Sequence, residues 1–272
     1  MTGPAAPVGA RLHATSFGTA GPRVVLLHGL FGQGKNWTTL AKDLAADARV
    51  TLLDLPDHGR SPWSATLSYP AMAEAVARTL ARDGAGEACA VVGHSMGGKV
   101  AMALALLRPE LIQRLCVVDV SPVPTESMSS FTTYVRGMRA LDLAHLPDRA
   151  TAEAALVPYV PDPVIRSFLL QNLRRDGDGW RWQMNLELLG DQLDVVTGWP
   201  DLTAAPYNAS PYPGPVLWVA GSESSYVLPE HAPAMRLLFP RVRSLTIKGA
   251  GHWVHADQPQ VFAAVLRRFL HL

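Results

Sequence analysis

The sequence predicts an α/β fold, in which a mostly parallel sheet is covered by helices on both faces. Short apolar runs alternate with amphipathic helical patterns along most of the chain, which is typical of parallel sheets with crossover helices. The length of 272 residues suits one large domain. Apolar residues make up 48% of the chain and charged residues 17%, which is the balance of a globular protein rather than a disordered one.

The predicted strands are short apolar runs bounded by turn residues: Leu12 to Phe17, Arg23 to Leu27, Arg49 to Leu53, Ala88 to Val92, Arg114 to Val118, Val216 to Ala220 and Val242 to Ile247. The predicted helices between them carry apolar residues at helical spacing: Trp37 to Ala46, Tyr69 to Arg82, Lys99 to Leu107, Pro229 to Phe239 and Gln258 to Leu270. Since strands and helices alternate, the carboxyl ends of most strands should meet at one edge of the sheet.

One segment breaks this alternation. Between Ser121 and Pro215 no buried strand is evident, and helical patterns occupy four stretches: Ser127 to Leu141, Ala150 to Leu156, Pro163 to Arg174 and Leu186 to Thr197. An insertion of this length is too long for a bare loop. We therefore expect a helical cap at residues 123–210 over the strand ends, with residues 1–122 and 211–272 forming the core.

The motif Gly93-His94-Ser95-Met96-Gly97 lies between a predicted strand and a predicted helix. This strand–turn–helix context is the one in which the nucleophile of a serine hydrolase is presented at a sharp turn. Glycine on either side of the serine leaves room for so tight a turn. Ser95 is therefore the candidate nucleophile.

A serine hydroxyl needs an adjacent base, and the base needs an acid to orient it. His252 follows the last predicted strand in Gly249-Ala250-Gly251-His252, and it is the candidate base; His255 would lie one helical turn away. Two acids are candidates. Asp119 ends the strand predicted to neighbour the nucleophile strand, and Glu223 lies in the turn after Val216 to Ala220.

Attack on an ester carbonyl also requires two N–H donors for the oxyanion. The backbone N–H of Met96 is one candidate, and the second is that of Leu30, with Phe31 as the alternative. Apolar side chains are expected to line a substrate pocket beside the nucleophile: Phe31, Trp253, Tyr134, Met138 and Trp182. Lys99, at the start of the helix after Ser95, is expected to be solvated or to bond a loop.

Four segments together resemble the α/β-hydrolase superfamily, and more narrowly the YbfF-like esterases and abhydrolase domain-containing protein 11: His28 to Trp37, Gly93 to Lys99, Val117 to Pro122 and Gly251 to His255. The resemblance extends over nearly the whole chain. It implies an α/β-hydrolase fold with an eight-stranded, mostly parallel sheet and a helical cap after strand 6. It also implies Asp119 as the acid, while the departure of Gly221 to Val227 from the family pattern keeps Glu223 as the alternative.

The expected function is that of a serine carboxylesterase, which hydrolyses short- to medium-chain acyl esters through an acyl-enzyme. An acyltransferase that passes the acyl group of an ester or thioester to an alcohol is the alternative. A ligand-binding receptor on the same scaffold, without catalysis, is a third hypothesis. Chemistry of this kind requires no cofactor and no metal ion, and the expected partner is a small-molecule ester.

Composition narrows the remaining function classes. The net charge is +1 and no basic stripe is evident, so we expect no nucleic-acid partner. No apolar run approaches the length of a membrane span, and the start of the chain has no secretory signal pattern and is expected to be a disordered lead-in. With Cys89 and Cys116 in predicted buried strands, we expect a cytoplasmic protein, as a monomer or a homodimer.

Overall fold

The computed structural model describes residues 11–84, 87–125 and 128–272. The predicted N-terminal lead-in lies outside the described residues, as does Ser127, the first residue of one predicted cap helix. Among the described residues the strands are β1 (Ala14–Phe17), β2 (Arg23–Leu27), β3 (Arg49–Leu53), β4 (Cys89–His94), β5 (Ile112–Val118), β6 (Leu173–Asp176), β7 (Gly179–Trp182), β8 (Val216–Gly221) and β9 (Val242–Ile247).

The α-helices of the same residues fall into a core group and a cap group. The core helices are α1 (Thr38–Leu44), α2 (Tyr69–Gly84) and α3 (Met96–Leu107), and the cap helices are α4 (Met128–Arg139), α5 (Arg149–Leu156), α6 (Pro163–Leu170), α7 (Leu186–Asp191) and α8 (Leu193–Thr197). The chain then returns to the core with α9 (Ala232–Leu238), α10 (Val254–Asp257) and α11 (Pro259–Leu270). None of these helices is both long and apolar enough to cross a membrane.

The main sheet has the strand order β1-β3-β2-β4-β5-β8-β9. Strand β1 is antiparallel to β3, and every other pairing in this sheet is parallel. The described residues thus give seven strands rather than the expected eight, because only the seven apolar runs of the sequence form sheet strands. The cap accordingly follows the fifth strand of the sheet and not the sixth.

The central strands β2, β4 and β8 are buried along their whole length, as strands between two helical layers require, whereas the edge strands β1 and β9 are largely exposed. Val91 of β4 packs in the layer that contains Met102 of α3, while the next residue, Val92, packs in the layer that contains Phe262 of α11. Alternate side chains of a central strand therefore contribute to two hydrophobic layers, one on each face of the sheet. Cys89 and Cys116 are free thiols that belong to different layers, which fits a role as core residues.

The cap contains a two-stranded antiparallel hairpin, β6–β7, which the sequence pattern failed to predict. The helix predicted to run to Arg174 ends at Leu170, and the chain continues as a strand. Gly177, with φ of 58°, lies in the turn between the two strands. An Asp-Gly pair between strand-like runs is a hairpin signal, so this error came from extending a helical pattern past its end.

Candidate active site

Ser95 occupies a strained turn between β4 and α3, with φ of 53° and ψ of −123°. A Cβ on Gly93 would lie 2.2 Å from the carbonyl oxygen of Gly97, and one on Gly97 would lie 2.4 Å from the carbonyl oxygen of His28. Larger residues cannot fit at either position without moving backbone. The turn is held from the neighbouring strand, since Ser95 N–H donates to Val118 O at 3.0 Å. The sequence therefore fixes the position of this hydroxyl at the carboxyl edge of the sheet.

A chain of hydrogen bonds runs from Ser95 through His252 to Asp119. The distance from Ser95 Oγ to His252 Nε2 is 3.0 Å, and that from His252 Nδ1 to Asp119 Oδ2 is 2.7 Å. Asp119 is fully buried, and its carboxylate also accepts the N–H of Gly221 at 3.0 Å and the hydroxyl of Ser224. With Nδ1–H donating to a carboxylate, the unprotonated Nε2 faces the serine hydroxyl.

The structure brings Asp119, and not Glu223, against the imidazole. Asp119 follows β5, which pairs with β4 beside the Ser95 turn. Glu223 is exposed, and its backbone N–H donates to Ala250 O at 2.9 Å, so the loop after β8 turns Ser224 inward instead. Asp119 and Glu223 lie at the ends of neighbouring strands. The path of the loop after β8 determines that only Asp119 reaches the imidazole.

Two further aromatic side chains hold the His252 loop in place. The ring of Tyr226 stacks on the imidazole at a centroid distance of 3.8 Å and an interplanar angle of 18°. His94 Nε2–H donates to the backbone oxygen of His252 at 2.8 Å. Neither contact is predicted from the sequence. His94 lies inside the nucleophile motif, but its partner is 158 positions away, and no local pattern reveals such a bond.

The loop after β2 supplies a second N–H group beside Ser95. Gly29 lies close to the nucleophile turn, since a Cβ there would be 3.1 Å from His94 Nδ1 and 3.2 Å from Ser95 Cβ, so that a larger residue would crowd both. Phe31 N–H already donates to His58 Nε2 at 3.2 Å, whereas Leu30 N–H meets no acceptor among the described residues. Met96 is the first residue of α3, where backbone N–H groups have no intrahelical acceptor. Leu30 and Met96, rather than Phe31, therefore retain N–H groups that an oxyanion could accept.

Two buried histidines shape that loop as neutral hydrogen-bond partners. His28 donates from Nδ1 to Gly29 O at 2.8 Å and accepts Leu55 N–H at Nε2 at 2.9 Å. Burial, followed by repulsion from His58, lowers the pKa of His28 to about 3. Burial likewise lowers the pKa of His58, whose Nε2 accepts Phe31 N–H. A proton on either acceptor nitrogen would break a bond that positions the loop.

A family model described as the alpha/beta hydrolase fold matches residues 22–259 of the chain. The chain belongs to the α/β-hydrolase family. This hydrolase is 40% identical over 255 residues to a mouse protein named sn-1-specific diacylglycerol lipase ABHD11. The match covers 92% of this chain and 81% of the mouse protein. It is 33% identical over 248 residues to the esterase YbfF of Escherichia coli, with 91% and 92% of the two chains covered.

Among solved structures, the hydrolase resembles a marine microorganism esterase with a TM-score of 0.89 and 30% sequence identity. The match covers 95% of this chain and 99% of that esterase. The similarity therefore includes the cap as well as the sheet. A fold and a cap shared with a protein named as an esterase agree with the arrangement of side chains around Ser95.

A cavity of about 270 Å³ opens over Ser95 between the core and the cap of the hydrolase. Phe31, Tyr134 and Trp253 line it, as predicted from the sequence. Met138 and Trp182 do not, and their prediction as pocket residues is wrong, since both are buried within the cap. The cavity is also lined by apolar residues outside the predicted set: Trp37, Phe131, Ile165, Phe168, Leu169 and Tyr226. Ile165, Phe168 and Leu169 of α6 are spaced so that they lie on one side of the helix, and this spacing can be read from the sequence.

Lys99 is buried and ties the α3 helix to the cap. Its ammonium group donates to the backbone oxygens of Thr197 and Gly198 at 2.7 Å each and to the hydroxyl of Thr125 at 3.2 Å. Burial lowers its pKa to about 7. Lys99 thus bonds a loop, as one of the two sequence-based alternatives proposed, but with 1% of its surface exposed it is not solvated.

Proposed function

We propose that this hydrolase is a serine carboxylesterase that cleaves short- to medium-chain acyl esters through an acyl-enzyme. One observation carries the proposal. Ser95, His252 and Asp119 form a continuous hydrogen-bonded chain within 3.0 Å at each step, next to two N–H groups that no protein acceptor occupies among the described residues. The names of the relatives, which are esterases and a lipase, support the same reaction class.

In the first half-reaction, Ser95 Oγ attacks the ester carbonyl carbon while its proton passes to His252 Nε2. The carbonyl oxygen becomes an oxyanion that accepts the N–H groups of Leu30 and Met96. Each such donor is worth about 100- to 1,000-fold in rate, because it is already oriented before charge develops. When the tetrahedral intermediate collapses, His252 gives the proton to the leaving alcohol, and the acyl group remains on Ser95.

In the second half-reaction, a water molecule takes the place of the alcohol. The water oxygen attacks the acyl carbonyl carbon while His252 accepts a proton from the water. His252 then returns this proton to Ser95 Oγ as the carboxylic acid product leaves. Asp119 stabilises the imidazolium that forms in each half and keeps Nδ1 protonated. Because Asp119 is held by Gly221 and Ser224 as well, the carboxylate cannot swing away between the two steps.

The cavity supports the substrate class. Its cap side is formed by apolar and aromatic side chains of α4 and α6, among them Phe131, Ile165 and Phe168. Its volume of about 270 Å³ lies at the small end for ligand sites, which favours acyl chains of short to medium length over long ones. An apolar wall of this kind offers contact area to an alkyl chain, but it offers no hydrogen-bond or ionic partner to a charged acyl group.

Hydrolysis of p-nitrophenyl esters from acetate to laurate tests the proposal. The wild-type protein should prefer short to medium chains, and Ser95→Ala should lose about 10⁶-fold in kcat. Ser130→Ala, which alters another serine of the same cavity, should leave kcat within a few-fold. Ester hydrolysis that survives in Ser95→Ala would refute the proposal. Repeating the assay in aqueous ethanol separates hydrolysis from acyl transfer, since a transferase gives mainly the ethyl ester.

A further inference from the structure

A second cleft, of about 200 Å³, lies between the β1–β3 edge of the sheet and the β6–β7 hairpin of the cap. We call it the edge cleft. Its walls are formed by residues of the core and the cap: His13 just before β1, Thr15 of β1, Leu52 of β3, Gln33, Gly34 and Lys35 before α1, Asp54 and Arg60, and Arg174 and Gln183 of the cap. It shares no lining residue with the cavity over Ser95, so it is a separate site.

The edge cleft carries an excess of positive charge. Lys35, Arg60 and Arg174 line it, and no ion pair among the described residues includes any of them. Asp54 is the one carboxylate in its lining. The oxygens of Asp54 already accept the backbone N–H groups of Gly34 at 2.7 Å and Arg60 at 2.9 Å. Three cations therefore face one carboxylate that is bound to the backbone.

The cations repel one another as well. Arg174 of β6 is directly opposite Arg181 of β7 in the hairpin register, and like charges at such positions destabilise a strand pair. Burial, followed by repulsion from Arg149 and Arg181, lowers the pKa of Arg174. Burial, followed by repulsion from Arg174 and Arg149, lowers the pKa of Lys35, although Asp54 acts in the opposite direction. The cluster therefore contains a repulsion between cations that a bound anion would offset.

A neutral group in the edge cleft also lacks a partner. The Gln183 side-chain oxygen is buried and has no hydrogen-bond partner among the described residues. The two ends of a glutamine amide are interchangeable by rotation, so the same position can present an NH₂ donor to a bound acceptor. Arg174 Nη1 already donates to the backbone oxygens of Gln171 and Leu173. An oxyanion in the edge cleft would supply an acceptor for this amide, for Lys35 and Arg60, and for the remaining donors of Arg174.

We propose that the edge cleft binds a phosphate group, either as inorganic phosphate or at the end of a phosphate monoester. Arginine presents a planar fork of donors that fits phosphate oxygens, and lysine adds a compact positive charge. Bound phosphate would offset the repulsion between Arg174 and Arg181. It would also join the cap hairpin to the loop that carries Lys35, which continues into the loop of Leu30. This site is additional to the esterase centre and does not depend on it.

Thermal unfolding at constant ionic strength tests the site, with chloride replaced stepwise by inorganic phosphate or by glycerol 3-phosphate. At ten times the Kd, the wild-type Tm should rise by about 3 °C. The double variant Lys35→Gln/Arg60→Gln should lose most of this rise. In chloride alone its Tm should equal or exceed that of the wild type, because two repelling charges are gone. A larger rise with glycerol 3-phosphate would identify the ligand as a monoester.

The matched control is Arg236→Gln/Arg268→Gln, which removes two exposed cations from α9 and α11, outside the edge cleft. This variant should keep the full response to phosphate. Isothermal titration should give one phosphate per wild-type chain and none for the cleft variant. Equal responses of the two double variants, or a wild-type Tm that neither phosphate compound changes, would overturn the proposal. Both readouts are independent of ester hydrolysis, so failure here leaves the esterase proposal standing, and the reverse also holds.

Discussion

The two walls of the cavity over Ser95 differ in what they contribute. The core wall presents polar atoms that are held from behind, such as the His252 imidazole between Ser95 and Asp119. The cap wall presents apolar side chains from α4 and α6, including Tyr134 and Phe168. The catalytic groups are therefore confined to the core wall, which also contributes apolar side chains such as Phe31 and Trp253, whereas the cap wall contributes mainly shape. Substitutions in the core wall should change rates, and those in the cap wall should change substrate choice.

Buried polar contacts join the two walls, and two sets of them lie next to the reacting groups. Asn172 of the cap donates to Phe31 O at 2.7 Å and accepts from the Gln33 side chain at 2.5 Å. Lys99 of the core donates to cap carbonyls behind the nucleophile helix. The position of the cap is thus set against the two core elements that carry Leu30 and Ser95, so the shape of the pocket and the position of the reacting atoms are coupled.

The largest expected effect in the core wall is that of Asp119→Asn, which keeps the shape but reverses the tautomer of His252. It should lower kcat for ester hydrolysis by about 10⁴-fold. Glu223→Gln, at the exposed acid of the next loop, should leave kcat within a few-fold. Steady-state kinetics of both variants on one p-nitrophenyl ester measures this difference. The reverse ranking would assign the acid to Glu223 and contradict the geometry.

A smaller effect is expected where the walls join. Lys99→Met removes the donor to Gly198 O and one of the donors to Thr197 O in a buried site. We expect the free energy of unfolding, from urea titration, to fall by about 2 kcal/mol. Lys42→Met, at an exposed lysine of α1, is the control and should change it by less than about 0.5 kcal/mol. A Lys99→Met protein as stable as the wild type would show that this contact does not hold the cap.

Substitution in the cap wall should redistribute activity rather than remove it. Phe168→Ala opens the pocket beside Trp253, whose ring centroid is 5.6 Å away. The ratio of kcat/KM for laurate over butyrate esters should rise about 10-fold, since each added methylene gains contact area. Val164→Ala, on the exposed face of the same helix, should leave the ratio unchanged. A uniform loss on all esters would show that Phe168 supports the catalytic geometry instead.

The last effect is on stability; it is the smallest at neutral pH and develops only in acid. Burial lowers the pKa of His255 to about 3, so it is neutral in the fold but binds a proton near pH 6.5 once unfolded. The unfolded state binds more protons between these values, so stability falls as pH decreases from 6.5 towards 3. His255→Phe should reduce that slope by about 1.4 kcal/mol per pH unit in urea titrations. An unchanged slope would mean that His255 is charged in the fold.

Most of the core could be predicted because its central strands are buried on both faces and read as continuous apolar runs. Ser95 and His252 could be located because a tight turn and a loop after the last strand each leave a local signature. The acid could not be decided in the same way. Asp119 and Glu223 both follow strands, and only the inward turn of Ser224 places one of them beside His252.

The cap was harder to predict for a physical reason. Tyr134 and Met138 are four residues apart on α4 and lie on one side of the helix, yet only Tyr134 reaches the cavity, because the cavity extends along part of that helix. Which apolar residues meet the substrate depends on how the helix is docked, and periodicity does not contain that information. The edge cleft is similar, since its cations come from distant segments that the fold brings together.

The central claim is that Ser95 is the nucleophile activated by His252, and labelling tests it most directly. The protein would be treated with a fluorophosphonate, and the adduct would be located by peptide mass spectrometry. We predict one adduct per chain, on Ser95, absent in Ser95→Ala and formed more slowly in Asp119→Asn. An adduct on any other residue, or none on a folded protein, would contradict the account.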